Sequence, residues 1–108
     1  MLGWGGGGLL NNEGSTAVKN SEIAAVFSDI AEMLKLKKDN IFKIRAYQKV
    51  AHSIEHLQVE VEQLVKEGRL KEIPGAGEAI TKKITELVTT GKLDYYEKLK
   101  VDFPEEIK

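Results

Sequence analysis

From about residue 20 onward, apolar residues recur with a helical period, and polar breaks cut the pattern into short segments. Ile23, Val26, Phe27, Ile30 and Leu34 form the first stripe and predict a helix over 21–36. Asn20 and Ser21 are good N-caps for it, Glu22 lies in its first turn, and Lys35, Lys37 and Lys38 lie in its last. Asp39-Asn40 is a break and a new cap. A second helix is predicted over 41–57, burying Ile41, Ile44, Tyr47 or Ala51, and Ile54. Val61, Leu64 and Val65 give a short third helix, closed by Gly68. Residues 69–73 make a helical turn. A further helix covers 78–90 on Ile80, Ile84, Leu87 and Val88, with Gly91 just past its end, and Leu93, Tyr96 and Leu99 give a last one over 93–100. The pattern predicts an all-α fold, a small array of four to five short helices.

One stretch, Ile73-Pro74-Gly75-Ala76-Gly77-Glu78-Ala79-Ile80, breaks this rhythm. Pro74 stops the preceding turn and holds Ile73 extended. Gly75 and Gly77 allow positive φ and let another backbone approach without a Cβ between. A glycine turn that feeds a helix presents unpaired N–H groups and a positive dipole end, which is a phosphate-binding geometry. With Ile73, Ile80, Ile84 and the downstream Gly91-Lys92-Leu93, the stretch resembles the hairpin of a helix-hairpin-helix motif. Such a hairpin grips one nucleic-acid strand by its phosphates without reading bases. Taken alone, the octamer also fits an ordinary interhelical turn.

Composition narrows the classes. With 108 residues the chain is sized for one compact domain, and 42% hydrophobic residues suffice for a core. It has no cysteine, which excludes disulfides, thiolate metal sites and a thiol nucleophile. No apolar run is long enough for a membrane span, and the start lacks the pattern of a signal peptide. A net charge of −1 argues neither for nor against nucleic acid, so local patches decide. Between residues 35 and 49 stand six bases (Lys35, Lys37, Lys38, Lys43, Arg45, Lys49) against one acid, Asp39. The next segment is acidic, with Glu55, Glu60, Glu62 and Glu67 against Lys66, and should face away from DNA. Residues 1–19, rich in glycine, are expected to be a disordered leader or tag in which Trp4 is solvated. Residues 20–100 are the expected domain, and 101–108 the truncated start of a following element. His52 and His56 stand at i, i+4, a metal-pair spacing. With no cysteine, and with Glu55 not placed as in the H-E-x-x-H metalloprotease pattern, they are read as rim residues.

Asn40-Ile41-Phe42-Lys43-Ile44-Arg45-Ala46-Tyr47-Gln48-Lys49, the hairpin through Lys83-Ile84, and Gly91-Lys92-Leu93 together resemble the N-terminal domain of bacterial and archaeal family X DNA polymerases, the DNA polymerase beta-like group. The resemblance implies a helical array that binds the 5′-phosphate at a DNA gap. In some members it also implies a deoxyribose-phosphate lyase, in which a lysine forms a Schiff base with the sugar aldehyde. Lys83 falls on the nucleophile's position. Lys43 and Tyr47 fall on positions of the 5′-phosphate pocket and Lys71 on another basic position, and Gly75, Gly77 and Lys82 join them as expected DNA contacts. The hairpin of that family holds a monovalent cation, Na+ or K+, which here would use the backbone carbonyls of Lys71, Ile73 and Ala76. No other cofactor is expected in this domain; Mg2+ would belong to a polymerase domain following it. The departures are Phe42 for a pocket histidine, Ala79 for a pocket lysine, Tyr95 for another lysine, and Lys82 for the acid before the nucleophile. The implied partners are gapped or nicked DNA with a 5′-phosphate and a C-terminal polymerase domain, with no membrane, in a monomer of the prokaryotic cytoplasm and its nucleoid. Three readings stay open: a sequence-independent DNA-binding module in base excision repair, a lyase, and a helical protein-interaction domain.

Overall fold

A computed structural model describes residues 19–102. The expected leader (except Lys19) and the following element beyond residue 102 lie outside the described residues. The elements in order are α1 (Asn20–Leu36), α2 (Ile41–Glu55), α3 (Val61–Glu67), a 3-10 turn (Leu70–Glu72), α4 (Glu78–Thr90) and α5 (Asp94–Val101). No strand occurs among the described residues, so the all-α expectation holds.

The framework is an antiparallel pair, α1 against α2, packed along most of their length. From α1 come Ile23, Phe27, Ile30, Met33 and Leu34, each essentially solvent-free; from α2 come Ile44, Tyr47, Val50 and Ile54. Ala24, Ala31 and Ala51 are buried too, small residues that let the helix backbones approach. Ile41, expected inside, is 50% exposed, and its neighbours Leu36 and Phe42 are 58% and 74% exposed. All three stand at the end of the helix pair where the chain turns, and no element among the described residues lies over them.

The caps explain the joints. Asn20 does not cap α1. Its side chain crosses to the start of α3, where Nδ2 donates to the Val59 carbonyl (2.8 Å) and Oδ1 accepts from the Val61 N–H (2.8 Å). At α1 it is the Glu22 carboxylate that accepts from the Lys19 N–H, at 2.9 Å. Asn40 caps α2 as its sequence position suggests, accepting from the Phe42 N–H at 2.8 Å. Gly68 and Gly91 end α3 and α4 in left-handed conformation, φ 66° and 79°. Helix α5 closes the array against α1, fixed by the Tyr96 hydroxyl donating to Asp29 at 2.7 Å and by Lys37 paired with Asp102 at 2.9 Å. Burial, and after it the Asp29 carboxylate, push the Tyr96 phenol up to about 12. Among the described residues no helix is long and apolar enough to cross a membrane.

Candidate nucleic-acid interface

The 3-10 turn stops at Ile73, whose φ of −76° and ψ of 119° are the extended geometry that Pro74 imposes. The Ala76 N–H donates to the Ile73 carbonyl at 3.0 Å, closing a four-residue turn with Pro74 second and Gly75 third. Gly75 has φ +90°, the sign that the third position of a type II turn demands. Gly75 also meets a neighbour: a Cβ built there would lie 3.0 Å from Lys49 Cγ and 3.3 Å from its Cδ. The stem of Lys49 therefore lies across the hairpin. Gly77 is different from expectation. Its φ is −76° with ψ −178°, ordinary extended backbone, and a Cβ there would meet nothing within 4 Å. Nothing among the described residues requires glycine at position 77; the space beside it is open.

Gly77 is the N-cap of α4 and has no side chain to offer. The N–H groups of Glu78, Ala79 and Ile80 find no acceptor among the described residues, and the first bonded amide is that of Thr81, which donates to the Gly77 carbonyl at 2.8 Å. Every other described α-helix has an N-terminal amide answered by a side chain. Glu22 serves α1, Asn40 serves α2 and Asn20 serves α3, while at α5 the Asp94 N–H donates to Glu86 Oε2 at 2.8 Å. Among the described α-helices only α4 has no side chain accepting from its cap or first-turn amides, which leaves its positive dipole end open.

The expected site residues divide into groups. Lys82, Lys83, Ala79 and Tyr95, together with Glu78 and Glu86, line one open concavity beside the start of α4. The Lys83 ammonium sits 4.8 Å from the centre of the Tyr95 ring, a cation–π contact. Tyr95 in turn stacks on Tyr47, centroids 6.1 Å apart, and Tyr47 on Phe27 at 5.9 Å. Tyr47 is only 4% exposed, so the structure places it as a core aromatic that backs the concavity. Burial first, and the Tyr95 phenol second, hold its hydroxyl well above a tyrosine's ordinary pKa. Lys71 lines a separate depression with Gly68, Thr81 and Thr85. Lys43 turns to Asp39, with its ammonium 3.8 Å from that carboxylate. The lysine of α2 that reaches the hairpin is Lys49. In the sequence it was one base among six; only the phase of α2 against the hairpin singles it out.

Charge follows the same division. Of the six bases between residues 35 and 49, Lys35, Lys37 and Lys43 pair with Glu32, Asp102 and Asp39, whereas Lys38, Arg45 and Lys49 have no carboxylate partner among the described residues. Lys71, Lys82 and Lys83 form no ion pair there either, so the bases nearest the open helix end remain available. On the acidic side, Arg69 holds Glu72 through two bonds of 2.8 Å and Glu67 through one of 2.6 Å. Of the three carbonyls expected to take a cation, that of Ile73 already accepts the Ala76 N–H, and those of Lys71 and Ala76 meet no backbone donor.

Residues 18–93 match the family model described as Helix-hairpin-helix domain, which spans both helices of the motif and the turn between them. The chain belongs to the helix-hairpin-helix domain family. No curated protein matches it. In this helix-hairpin-helix domain the 3-10 turn is the first, much shortened helix, residues 73–77 are the hairpin and α4 is the second helix. Domains of this family typically bind DNA, and the amides of α4 are the part of the motif suited to a phosphate.

Proposed function

We propose that this domain is a sequence-independent DNA-binding module of a family X-type DNA polymerase, one that holds the phosphate backbone and the 5′-phosphate of gapped DNA during repair synthesis. The observation that carries this reading is the uncapped start of α4: three N–H groups without an acceptor among the described residues, next to a glycine that the described fold does not need. A phosphate there would accept from amides already oriented, at no ordering cost to the chain. Lys82, Lys83 and Lys49 supply charge around it, and Lys71 and Arg45 extend the basic surface. None of these contacts reads a base edge, so binding is indifferent to sequence. The carbonyls of Lys71 and Ala76, with the second lone pair of Ile73, would hold a monovalent cation between hairpin and phosphate, neutralising charge there.

A second reading, a lyase acting through Lys83, draws on its half-buried place in the concavity. Its free amine would add to the sugar's aldehyde, lose water to give the Schiff base, and leave phosphate to depart by β-elimination. The cation–π contact with Tyr95 is made by the ammonium and not by the free amine, which favours Lys83 as a charge that meets phosphate.

The test is amide chemical-shift mapping with a gapped duplex carrying a 5′-phosphate, beside one with a 5′-hydroxyl. Shifts at Gly75, Gly77, Glu78 and Ala79 are expected, larger with the phosphate. With about three to five phosphates contacted, log K against log salt should fall with a slope of about −3 to −4. Shifts confined to α3 and the acidic segment, or salt-independent binding, would refute the module. Borohydride trapping on a 5′-deoxyribose-phosphate end distinguishes the lyase: an adduct lost in Lys83→Ala establishes it, and intact binding without an adduct excludes it.

A further inference from the structure

At the far end of α2 from its Asn40 cap, the only two histidines of the chain meet. His52 and His56 are one helical turn apart, with ring centroids separated by 4.3 Å. Glu55 joins them: one ring nitrogen of each histidine and one Glu55 carboxylate oxygen all lie within 4.8 Å of one another, and all three residues are exposed. We propose that His52, Glu55 and His56 form a binding site for a borderline divalent transition-metal ion of the Zn2+, Ni2+ and Cu2+ class, separate from the hairpin.

Four features support the assignment. The donor set, two imidazoles and one carboxylate, is one that zinc-class ions accept, and such ions leave the remaining positions to water or an outside ligand. The tautomer of one ligand is already set. His56 Nδ1 lies 2.9 Å from the His52 carbonyl oxygen. A carbonyl can only accept, so Nδ1 carries the hydrogen and Nε2 keeps its lone pair for a metal. Fixing one ring nitrogen by a backbone carbonyl is how metal-bound histidines are ordinarily oriented. The place in the helix also suits a cation. His56 is the C-cap of α2, where the macrodipole is negative, and its φ of −103° and ψ of 8° leave the helical path. Glu55 is three residues after His52, and helical spacing puts it about 60° from that residue, on the same side as the two rings. Finally, the side chains need to move little. Metal bonds of about 2.0–2.2 Å put tetrahedral ligands about 3.4 Å apart, and exposed side chains can close from 4.8 Å by small rotamer changes. His52 and Glu55 also line the groove between α1 and α2, which gives the ion an open approach.

Because the chain has no cysteine and no third histidine, the site can be tested without a competing soft ligand. Titrating the full chain with ZnCl2 in a non-chelating buffer by calorimetry should give saturable binding of one ion per chain. It should also raise the thermal midpoint as zinc increases. His52→Ala and His56→Ala should each weaken binding about ten-fold or more, and Glu55→Gln by a smaller factor. Circular dichroism of these exposed-site variants should match the parent. Ring-nitrogen spectra should shift at His56 Nε2 and leave Nδ1 as the protonated nitrogen. Three outcomes overturn the proposal: no saturable binding at millimolar zinc, binding that survives either histidine substitution, or a Glu55→Gln variant with unchanged affinity. A DNA-binding result of either sign leaves this test unaffected.

Discussion

The turn from α1 to α2 and the turn from α3 to α4 begin in the same way. Each preceding helix ends on a residue with positive φ, Lys38 at 59° and Gly68 at 66°. In each, the next amide returns to a carbonyl five residues back, Asp39 to Leu34 at 3.0 Å and Arg69 to Leu64 at 2.9 Å. They then part. The first turn closes on Asn40, whose side chain takes up an amide of α2. The second runs on through the 3-10 turn and hairpin and delivers α4 with Gly77 at the cap and three amides unanswered. A helix start that is satisfied by its own chain is finished as structure. One left to water has room for an anion, and water can be displaced at small cost.

The largest effect should come from making the second turn like the first. Gly77 has the dihedrals of an N-cap and open space for a side chain, so Gly77→Asp should fit. Its carboxylate would accept the free amides and stabilise the domain by about 0.3 kcal/mol in urea unfolding. The same carboxylate would occupy the phosphate's place, and affinity for gapped DNA should fall by about 2 kcal/mol or more, roughly 30-fold. Gly77→Asn caps without charge and should lie between. Unchanged affinity in Gly77→Asp would mean that DNA does not use this helix end.

Gly75→Ala should behave in the opposite sense for stability. The φ of +90° strains any side chain, and the new Cβ would press on Lys49 at 3.0 Å. A loss of about 1–3 kcal/mol is expected. Adding Lys49→Ala should recover the part due to crowding and leave the dihedral part. The two glycines of the hairpin are thus separable by one pair of denaturation curves: one is kept by the fold, the other by what the fold meets.

The helices and their order were legible because period, breaks and closing glycines all sit within a few residues of one another. Residues 78–90 and Gly68 fell where the pattern put them. What the sequence could not carry was partnership across distance. Asn20 looks like a cap for the helix it begins, yet serves amides and carbonyls about forty positions away, because α3 starts beside it in space. Ile41 has the right phase to be buried, but phase says nothing about where a neighbouring helix ends. The glycines were visible and their different reasons were not: both could have taken positive φ, and only Gly75 does. At the site, Lys82 and Lys83 were legible together. Lys43 and Lys49 could not be told apart by position, since only packing shows that the Lys49 stem lies on the hairpin.

Opening the first turn is a smaller perturbation. Asn40→Ala removes the acceptor of the Phe42 amide and should cost about 1 kcal/mol of stability. Because that helix end is already closed in the parent, DNA affinity should stay within about two-fold when measured well below the unfolding transition. A large loss of affinity on Asn40→Ala would place a phosphate at α2 as well and erase the contrast between the turns.

The smallest effect concerns the acids that flank the open helix. Glu67 and Glu72 lie just before the hairpin, and Arg69 draws both onto itself. The Gln63 amide first and Arg69 second hold Glu67 below the usual carboxylate range, while Arg69 does so for Glu72. A carboxyl whose pKa is lowered by folding adds stability that is present above its unfolded value, about 4.3, and is lost as pH falls through the lower folded value. Unfolding midpoints should therefore drop on acidification below about pH 4.5, and Arg69→Gln should flatten that drop. The same substitution frees two negative charges beside α4, so DNA affinity at neutral pH should fall by about two-fold, more at low salt than at high. If Arg69→Gln leaves affinity unchanged at low salt, the acidic segment is too far from the bound phosphates for its charge to matter, and the amides and lysines at α4 act on the anion without regard to it.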